Sequence, residues 1–482
     1  MNTSQKPLII AAALIILSVA ASKASSRFGI PALLAFLLIG MGAGIHGLGE
    51  LPLVSYEFAQ HLGILALIFI LFSGGMDTKI NSVRLVLKPA LLLSTVGVII
   101  STLAVGLFAN QLFDFSLLEG CLLGATVSST DVAAVFTVLR SKNVSLKKGV
   151  APLLELESAL NDPMTVFLGV GLLSLITQKN QSLVGLIPLF FKQMIFGSLF
   201  GLGFGKAAAF VTNRIKLEFE GLYPVLSIGG IFITYAGTQL IGGSGFLAVY
   251  VAGIVIGNEN LLHKKSLIHF HEGIAWLMQI AMFLTMGLLV NPGELLKIAP
   301  LGIAFSLFLV LFARPASVFL CFLKSRFSWQ EKLMVSWAGL RGAVPIVLAT
   351  YPFVAQIPKA GAIFNLVFFV TFISVLLQGA TIPVVAHWLK VDMPSKGKFR
   401  FPIEFNPTQN LRNKLVEVTI TPDSSSVGKT LLELSLPQDV LIVLIQRAGD
   451  ILVPRGGTHL AEGDTLLVLA ENISTEDLKR LL

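Results

Sequence analysis

Apolar runs separated by short polar loops fill the chain from its first residues to about residue 390. A helix that spans a bilayer needs about 20 consecutive apolar residues, and about thirteen of these runs approach that length. They lie near residues 7–24, 30–45, 57–75, 84–111, 117–139, 149–176, 185–212, 222–241, 245–258, 272–291, 297–322, 330–353 and 360–389. The pattern predicts an all-α polytopic membrane protein with about thirteen transmembrane helices.

The hydrophobic pattern changes near residue 393, where the chain becomes polar. Residues 393–411 are rich in Pro, Lys and Asn, which is typical of a linker. Beyond it, short alternating and apolar stretches predict a small α+β domain. Its predicted elements are strands at Lys414–Thr421, Asp439–Gln446 and Asp464–Ala470, a hairpin turn at Ala448–Asp450 and a helix at Thr475–Leu482. We therefore expect a transmembrane domain over 1–392, a linker over 393–411 and a soluble domain over 412–482.

The composition also favours a membrane protein. Hydrophobic residues make up 54% of the 482 residues and charged residues only 13%, with a mean hydropathy of +0.83. A soluble domain carries about 25% charged residues. Cys121 and Cys321 both lie in apolar runs and predict no disulfide framework. The first apolar run lacks the cleavage site of a signal peptide, so we expect it to remain as a span.

The formal net charge of +8 suggests nucleic-acid binding at first, but the positions of the charges indicate otherwise. Lys and Arg cluster in alternate loops, as expected of loops that face the cytoplasm. These loops hold Lys23 and Arg27; Lys79, Arg84 and Lys88; Arg140, Lys142, Lys147 and Lys148; Arg214 and Lys216; Lys264 and Lys265; Lys324, Arg326 and Lys332; and Lys390, Lys396, Lys398 and Arg400. The alternation requires an odd number of spans, with the N-terminus outside and the C-terminal domain in the cytoplasm. No nucleic-acid partner is expected.

Four clusters of ionisable residues interrupt the apolar runs. They contain Asp131, Glu157 with Asp162, Arg314, and Arg341. A charged side chain in a span costs about 2.5–3.5 kcal/mol, so each one indicates a function. Counted at about 1.5 Å per residue from the nearest cytoplasmic charge, all four clusters lie about 14–21 Å deep. The midplane of a bilayer lies at about 15 Å, which is where transporters bind their substrates.

The first cluster is the run Ser128–Asp131, which reads Ser-Ser-Thr-Asp. Ser, Thr and Asp side chains compete with helical hydrogen bonds, so the run favours an unwound span whose carbonyls are free to bind a cation. The alternative is a Ser/Thr-rich packing interface with one buried acid. Packing alone leaves Asp131 at mid-depth unexplained, and we favour the unwound span.

The second cluster runs from Glu155 to Pro163 and contains Glu157 and Asp162. Pro163 removes the hydrogen-bond donor for the carbonyl near Ala159, which leaves an acceptor close to Asp162. A desolvated carboxyl group can hold either a proton or a cation, and competition between the two is antiport. The alternative for each acid is a structural role in an ion pair. We favour the structural role for Glu157 and the exchange of cation and proton for Asp162. Glu155 lies nearer the cytoplasm, where it would line a water-filled funnel.

The third and fourth clusters each place an arginine beside a helix breaker: Arg314 precedes a proline and Arg341 precedes a glycine. Two buried arginines need two buried acids, and Glu157 and Asp131 are available. Since an arginine repels a cation, we expect both to hold spans together and to compensate half-helix dipoles. The seven histidines offer no converging ligand set, so we expect no metal site beyond the transported cation, and no cofactor.

These motifs, in this order, resemble those of the monovalent cation:proton antiporter-1 family, which contains the sodium/proton exchangers. They are Ser129-Thr130-Asp131-Val132-Ala133-Ala134-Val135, Glu157-Ser158 with Asn161-Asp162, Ala313-Arg314-Pro315, and Gly339-Leu340-Arg341-Gly342-Ala343. The likeness covers about residues 5–390 and is closest to the bacterial potassium/proton antiporter branch. It implies inverted repeats, two unwound helices that cross at the site, a homodimer and a bacterial inner-membrane location.

The resemblance also implies roles for individual residues. Asp162 would bind the cation or the proton, with Thr130 and Ser158 contributing oxygens and Asn161 supporting the site. The Asn161-Asp162 pair carries a single acid, which is similar to the pattern linked with electroneutral one-for-one exchange. The span at 272–291 holds no lysine, which fits the same branch.

Charge-compensating roles are implied for four further residues. Glu157 would pair with Arg314, and Asp131 would pair with Arg341. The soluble segment 412–482 resembles the TrkA-C/RCK-C regulatory domains of potassium channels and transporters. This second likeness favours K⁺ and implies a small-molecule or nucleotide effector.

The sequence thus predicts a secondary active antiporter that exchanges K⁺ or Na⁺ for H⁺ and serves pH homeostasis. The alternative is a gated cation channel with a regulatory domain. A channel would need a continuous pore and a carbonyl filter such as Thr-Val-Gly-Tyr-Gly, and the sequence contains no such run. No nucleophile–base pair stands out either, so an enzyme is not expected.

Overall fold

The computed structural model describes residues 6–28, 31–44, 55–142, 144–147, 149–178, 181–261, 263–394, 413–420, 424, 426–434, 436–437, 439–447 and 450–471. The chain divides into two compact units, Met1–Ser395 and Lys396–Leu482. Of the predicted linker at 393–411, only residues 393 and 394 are described. The predicted helix at Thr475–Leu482 and turn residues 448 and 449 lie outside the described residues.

The described part of the first unit is almost entirely helical, because a helix satisfies its own backbone hydrogen bonds, as a bilayer requires. Its helices are α1 (Lys6–Phe28), α2 (Ala32–Ala43), α3 (Tyr56–Asp77), α4 (Ile80–Leu92), α5 (Val98–Leu112), α6 (Leu117–Thr126), α7 (Val132–Ser141), α8 (Val150–Thr177), α9 (Leu183–Arg214), α10 (Leu222–Leu240), α11 (Gly245–Asn258), α12 (Lys264–Leu289), α13 (Pro292–Phe308), α14 (Arg314–Cys321), α15 (Trp329–Trp337), α16 (Ala343–Val354), α17 (Ala360–Ile373) and α18 (Ala380–Trp388). Turns of π-helix join α4 to α5, α13 to α14 and α17 to α18.

Each predicted apolar run coincides with one helix or with consecutive helical segments. Among the described residues, 8 helical stretches are long and apolar enough to cross a membrane by length and composition. The short run near 245–258 forms α11. The predicted fold class, a multi-pass helical membrane protein with a small C-terminal domain, is confirmed, while the number of thirteen spans stays a prediction.

Two stretches of the first unit repeat the same order of elements. In each, two helices joined by a π-helical turn (α4–α5 and α13–α14) precede two short helices separated by an interruption (α6–α7 and α15–α16). Helices α6 and α15 also begin alike. Each begins with a capping box, Ser116 with Glu119 in α6 and Ser328 with Glu331 in α15. The serine hydroxyl accepts from the backbone N–H of the glutamate, and the glutamate carboxylate accepts from the backbone N–H of the serine. This order supports the internal repeats that the resemblance implies.

Helix α11 packs against both α3 and α9, and glycines allow the close approach. A Cβ atom at Gly257 would fall 2.2 Å from the carbonyl oxygen of Met76, and one at Gly201 would fall 2.6 Å from that of Ala248. Small residues at such contacts let helices pack tightly in lipid, where no hydrophobic effect drives them together. Helices α3 and α11 both contribute to the site described below.

A two-stranded antiparallel sheet links the loop before α8 to the chain after α18. Strand β1 (Val144–Leu146) pairs with β2 (Asp392–Pro394), and the N–H of Lys147 donates to the carbonyl of Val391 at 3.0 Å. The sequence does not predict these strands, because three residues are too few to show an alternating pattern. The sheet ties the segment that leads to the C-terminal domain to the α7–α8 loop.

In the second unit, the described strands form a four-stranded antiparallel sheet with the order β3–β6–β4–β5. They are β3 (Asn413–Thr419), β4 (Val440–Arg447), β5 (Asp450–Leu452) and β6 (Thr465–Glu471). Three of them, β3, β4 and β6, coincide with the predicted strands to within about two residues, the usual uncertainty of such boundaries. Ile445, Leu466 and Val468 lie in the core of this sheet.

An ion pair stabilises this second unit. Arg447 donates from Nε and Nη2 to the buried Asp464 carboxylate at 2.9 and 2.7 Å, and the N–H of Ala461 donates to it at 2.8 Å. Burial raises the pKa of Asp464, but the hydrogen bonds from Arg447 and Ala461 outweigh it and hold the pKa below its usual value. The carboxylate therefore stabilises the domain above the unfolded pKa of about 3.9, and that contribution is lost as pH falls through the lower folded value.

Candidate functional site

The interruption between α6 and α7 (Val127–Asp131) lies against the interruption between α15 and α16 (Ala338–Gly342). The N–H of Asp131 donates to the carbonyl of Leu340 at 2.7 Å, which joins the two segments directly. A Cβ atom at Gly342 would fall 2.0 Å from the Asp131 carboxylate, so only glycine allows this approach. Two unwound segments in contact are what the resemblance implies.

Arg341 is fully buried and binds the main chain of the opposite interruption. Its Nη1 donates to the carbonyls of Ser128 and Ser129 at 2.6 and 2.7 Å. Asp131 instead caps α7, where its carboxylate accepts from the N–H of Ala134 at 3.1 Å. The predicted ion pair between Asp131 and Arg341 is wrong, since none joins them within the described structure. The physical reason is that helix ends offer each charge a partner of its own: free carbonyls for Arg341 and free N–H groups for Asp131.

Glu157 and Arg314 form the contact that the sequence predicts. Arg314 Nη1 and Nη2 donate to the two Glu157 carboxylate oxygens at 3.0 and 3.1 Å, and the two side chains are only 3% and 1% exposed. Thr130 and Asn161 donate to the same carboxylate at 3.3 and 3.1 Å. Glu157 is therefore paired and fully hydrogen-bonded, as a buried charge must be. Its structural role stays a prediction.

The residues predicted to provide oxygens meet around Thr130. Asn161 Nδ2 donates to Thr130 Oγ1 at 2.6 Å, and the Ser158 hydroxyl donates to the Thr130 carbonyl at 2.7 Å. The N–H of Val132 donates in turn to Ser158 Oγ at 3.2 Å. Side chains of α8 thus satisfy backbone groups that the interruption removes from the helical ladder. Their role as cation ligands stays a prediction.

Asp162 lies on α8 at the wall of a cavity of about 410 Å³. Ser129 Oγ donates to Asp162 Oδ1 at 2.5 Å, the one hydrogen bond that the described residues give this carboxylate. Within the same residues no Lys, Arg or His forms an ion pair with it. Pro163 lies inside α8, which continues through it. Asp162 therefore presents to the cavity a carboxylate that has no ion-pair partner among the described residues. Asp131 lines the same cavity, but its carboxylate caps α7.

The cavity extends beyond Asp162 to Glu155 and Arg140, which the charge pattern assigns to the cytoplasmic side. Glu155 lines the cavity, as the predicted funnel requires. The polar residues on the wall that were given no role by the sequence include Asp77 of α3, Ser129, Tyr250 of α11 and Glu272 of α12. Asp77 and Glu272 lie near predicted span ends, where acids are common. Ser129 lies inside the first cluster, and that position is the signal that could have identified it.

Two family models match the chain, one on each unit. Residues 11–388 match the model described as sodium/hydrogen exchanger, transmembrane. Residues 415–482 match the TrkA-C domain model. The first match covers the crossing, the cavity and all four predicted clusters.

Comparison with individual proteins gives the same result. The K(+)/H(+) antiporter NhaP2 of Shewanella sp. (strain MR-4) is 40% identical over 478 residues, which is 98% of this chain and 82% of that protein. The K(+)/H(+) antiporter NhaP of Alkalimonas amylolytica is 36% identical over 479 residues, 98% of this chain and 83% of that protein. The sodium proton antiporter MjNhaP1 of Methanocaldococcus jannaschii, solved at pH 8, aligns with a TM-score of 0.71 at 24% identity, covering 81% of this chain and 99% of that chain. The last likeness supports the fold alone.

Proposed function

The chain belongs to the sodium/hydrogen exchanger family, and from that premise we propose that it exchanges K⁺ or Na⁺ for H⁺ across a bacterial inner membrane. The exchange is electroneutral, proceeds by alternating access and serves pH homeostasis. Relatives at 40% and 36% identity are named K(+)/H(+) antiporters, which favours K⁺. One observation carries the proposal: the Asp162 carboxylate lies on the cavity wall beside the crossing, with no ion-pair partner among the described residues.

The charges at the crossing support one-for-one exchange. The acids Asp131, Glu157 and Asp162 lie there together with two arginines, Arg314 and Arg341. One negative charge is therefore left unbalanced, and burial favours its neutralisation. A proton or one monovalent cation restores the same net charge. If the two compete for Asp162, each cycle moves one cation against one proton and no net charge.

The interrupted helices support alternating access. Discontinuous helices near the midplane are typical of transporters in which one bundle moves against another around a fixed site. An empty, charged carboxylate is costly to carry through apolar surroundings, whereas a loaded one is neutral. Cation and proton transport are then coupled, because the protein changes between its two conformations at low cost only when Asp162 holds a cation or a proton.

We expect proteoliposomes that contain the full chain to dissipate an imposed pH gradient when K⁺ is added, and to respond less to Na⁺. An internal pH-sensitive dye reports the flux. Because the proposed cycle moves no net charge, clamping the membrane potential at zero should leave the rate unchanged.

Protein-free liposomes are the control for this assay. A cation flux that proceeds without proton counterflow, or whose rate follows the membrane potential, would contradict electroneutral exchange and favour the gated channel. A stronger response to Na⁺ would reverse the proposed ion preference while leaving antiport in place.

We also propose that the C-terminal domain regulates transport from the cytoplasm and that the protein forms a homodimer. The TrkA-C match supports a domain that binds a small-molecule or nucleotide effector. The Lys and Arg alternation supports a cytoplasmic position for it and an external N-terminus. The β1–β2 sheet provides a route to the site, because β1 lies between α7 and α8.

A chain that ends at Lys398 is expected to insert and to exchange, because all four clusters precede residue 345 and β2 is retained. Its activity-versus-pH curve should shift relative to the full chain, since a regulatory domain biases an equilibrium between two states. Activity, thermal stability and dimer content are measured in one reconstituted sample.

The alternative for the C-terminal domain is assembly alone. In that case truncation lowers stability or dimer content and leaves the pH curve in place. A second chain that ends at Lys390 removes β2 as well. If the sheet transmits regulation, the two truncated chains should differ in their pH curves.

A further inference from the structure

Ser129 is held in place from several sides and presents its hydroxyl to Asp162. The residue is buried, and its Oγ donates to Asp162 Oδ1 at 2.5 Å. Its carbonyl accepts from Arg341 Nη1 at 2.7 Å, and the N–H of the next residue, Thr130, donates to Asn161 Oδ1 at 3.5 Å. The backbone on both sides of the hydroxyl is thus anchored, one side to the opposite interruption and the other to α8.

The other polar side chains near Asp162 already have partners. Thr130 Oγ1 accepts from Asn161 and donates to Glu157, and Ser158 Oγ accepts from a backbone N–H while donating to a carbonyl. Turning the Thr130 hydroxyl toward a cation would break its bond to Glu157 of the buried Glu157–Arg314 pair, and turning that of Ser158 would release the Thr130 carbonyl. Each of these two oxygens can therefore offer a cation only its one remaining lone pair. The lone pairs of Ser129 Oγ receive no hydrogen bond from the described residues, so they remain available.

Building on the proposed exchange at Asp162, we propose that Ser129 is the residue that sets the competition between proton and cation there. Its O–H donates to the ionised carboxylate when the site is empty. When a monovalent cation binds, the hydroxyl rotates and offers the cation a lone pair beside the carboxylate. When a proton binds Asp162, the hydroxyl accepts from it instead.

A serine hydroxyl suits this task because it has one donor and two acceptor positions and a freely rotating hydrogen. Each state of the site is served by rotation about one bond, with no movement of the anchored backbone. Donation to the carboxylate favours its charged form over its protonated form. Coordination by the same oxygen favours the cation. The bond that the hydroxyl donates to the charged carboxylate is stronger than the one that it accepts from the protonated carboxyl group. On balance the hydroxyl therefore disfavours the proton, and its removal should favour the proton over the cation.

Charged and titratable groups from several elements surround Asp162, and none of them is altered by a change at Ser129. They are Asp77, Asp131, Arg140, Glu155, Glu157, Tyr250, Glu272, Arg314 and Arg341. A difference between the wild-type chain and a Ser129 variant therefore reports the hydroxyl and not the background field.

The test is Ser129→Ala in the full chain, reconstituted in proteoliposomes with K⁺ as the probe. A hydrogen bond to a charged group is worth about tenfold in an equilibrium. We expect the apparent KM for K⁺ near neutral pH to rise about tenfold. The acid limb of the pH profile should move up by about one pH unit, since one unit is a tenfold change in proton concentration. The maximal rate at alkaline pH and saturating K⁺ should stay near that of the wild-type chain. Ser129→Thr keeps the hydroxyl and should restore both KM and pH profile.

Thr126→Ala is the matched control, because its buried hydroxyl donates to the Leu122 carbonyl within α6 and lies outside the cavity wall. A wild-type KM and pH profile for Ser129→Ala would overturn the proposal. So would a uniform loss of maximal rate with KM unchanged, which indicates a structural role. If the alanine variant is not monodisperse, Ser129→Cys, with its weaker donor, should show smaller shifts in the same direction, and an unshifted cysteine variant overturns the proposal.

The same experiment separates this inference from the function on which it rests. If Asp162→Asn is inactive while Ser129→Ala behaves like the wild-type chain, only the role of Ser129 is rejected. An Asp162→Asn chain that still exchanges rejects the proposed function itself.

Discussion

Replacing Asp162 with asparagine is expected to reduce cation-driven proton flux to the level of protein-free vesicles. An amide neither takes up nor releases a proton in this range, and it has no charge with which to hold a cation. The fold should survive. The amide oxygen can accept the hydrogen bond from Ser129 as the carboxylate does. The hydrogen bond from the Thr165 hydroxyl is also kept, because it goes to the main-chain carbonyl of Asp162 and not to its side chain. Dye-reported flux in proteoliposomes measures the loss.

Two further variants sharpen this result. Asp162→Glu keeps the carboxyl group and displaces it by one methylene, so exchange should be reduced but measurable. Glu294→Gln removes an exposed carboxylate in the first turn of α13 and should leave the flux unchanged. Near wild-type exchange by Asp162→Asn would mean that another acid carries the proton, with Glu155 on the cavity wall as the next candidate.

Truncating Arg314 to alanine should destabilise the protein severely. The change leaves Glu157 buried without its ion-pair partner, and removing one partner of a buried pair costs about 3–5 kcal/mol. We expect a clear fall in the melting temperature of the detergent-solubilised chain. Asp162→Asn should not lower it, because that change removes a buried charge that has no ion-pair partner in the described structure. The two variants thus separate stability from transport.

The control for Arg314 is Arg326→Ala, which removes an exposed arginine and should change stability by less than about 0.5 kcal/mol. The double variant Glu157→Ala with Arg314→Ala should lose less stability than the two single variants added together. The second truncation removes the carboxylate that Arg314→Ala alone leaves buried without a partner. Wild-type stability for Arg314→Ala, or strictly additive losses, would show that the 3.0 and 3.1 Å contacts contribute little.

The sequence by itself determined which segments of this chain are helical and apolar, and that a second, mostly β-stranded unit follows them. Every predicted run corresponds to helical structure, because a backbone in lipid must satisfy its hydrogen bonds within its own segment. The three predicted strands of the second unit were also found, since an alternating or apolar stretch of seven or eight residues is a local signal. The strands of three residues, β1, β2 and β5, have no such signal.

The sequence also predicts the depth of the site, because counting residues along a helix gives a position along its axis. The resemblance pairs Glu157 with Arg314, which have opposite charge and similar predicted depth. The structure contains this contact, since each charge is costly in an apolar medium without the other. The same reasoning failed for Asp131 and Arg341. It assumed that a buried charge needs a charged partner, whereas the ends of interrupted helices provide neutral ones.

Only the tertiary structure decided which side chains meet at that depth. Arg341 binds the carbonyls of Ser128 and Ser129, and main-chain carbonyls leave no mark in the sequence because every residue has one. The contact of Ser129 with Asp162 depends on how far α6 has unwound and on the direction from which α8 approaches. Residue counting sets the height of a group along its helix, but its direction around the axis and its neighbours across the interface are set by packing between helices that are distant in sequence.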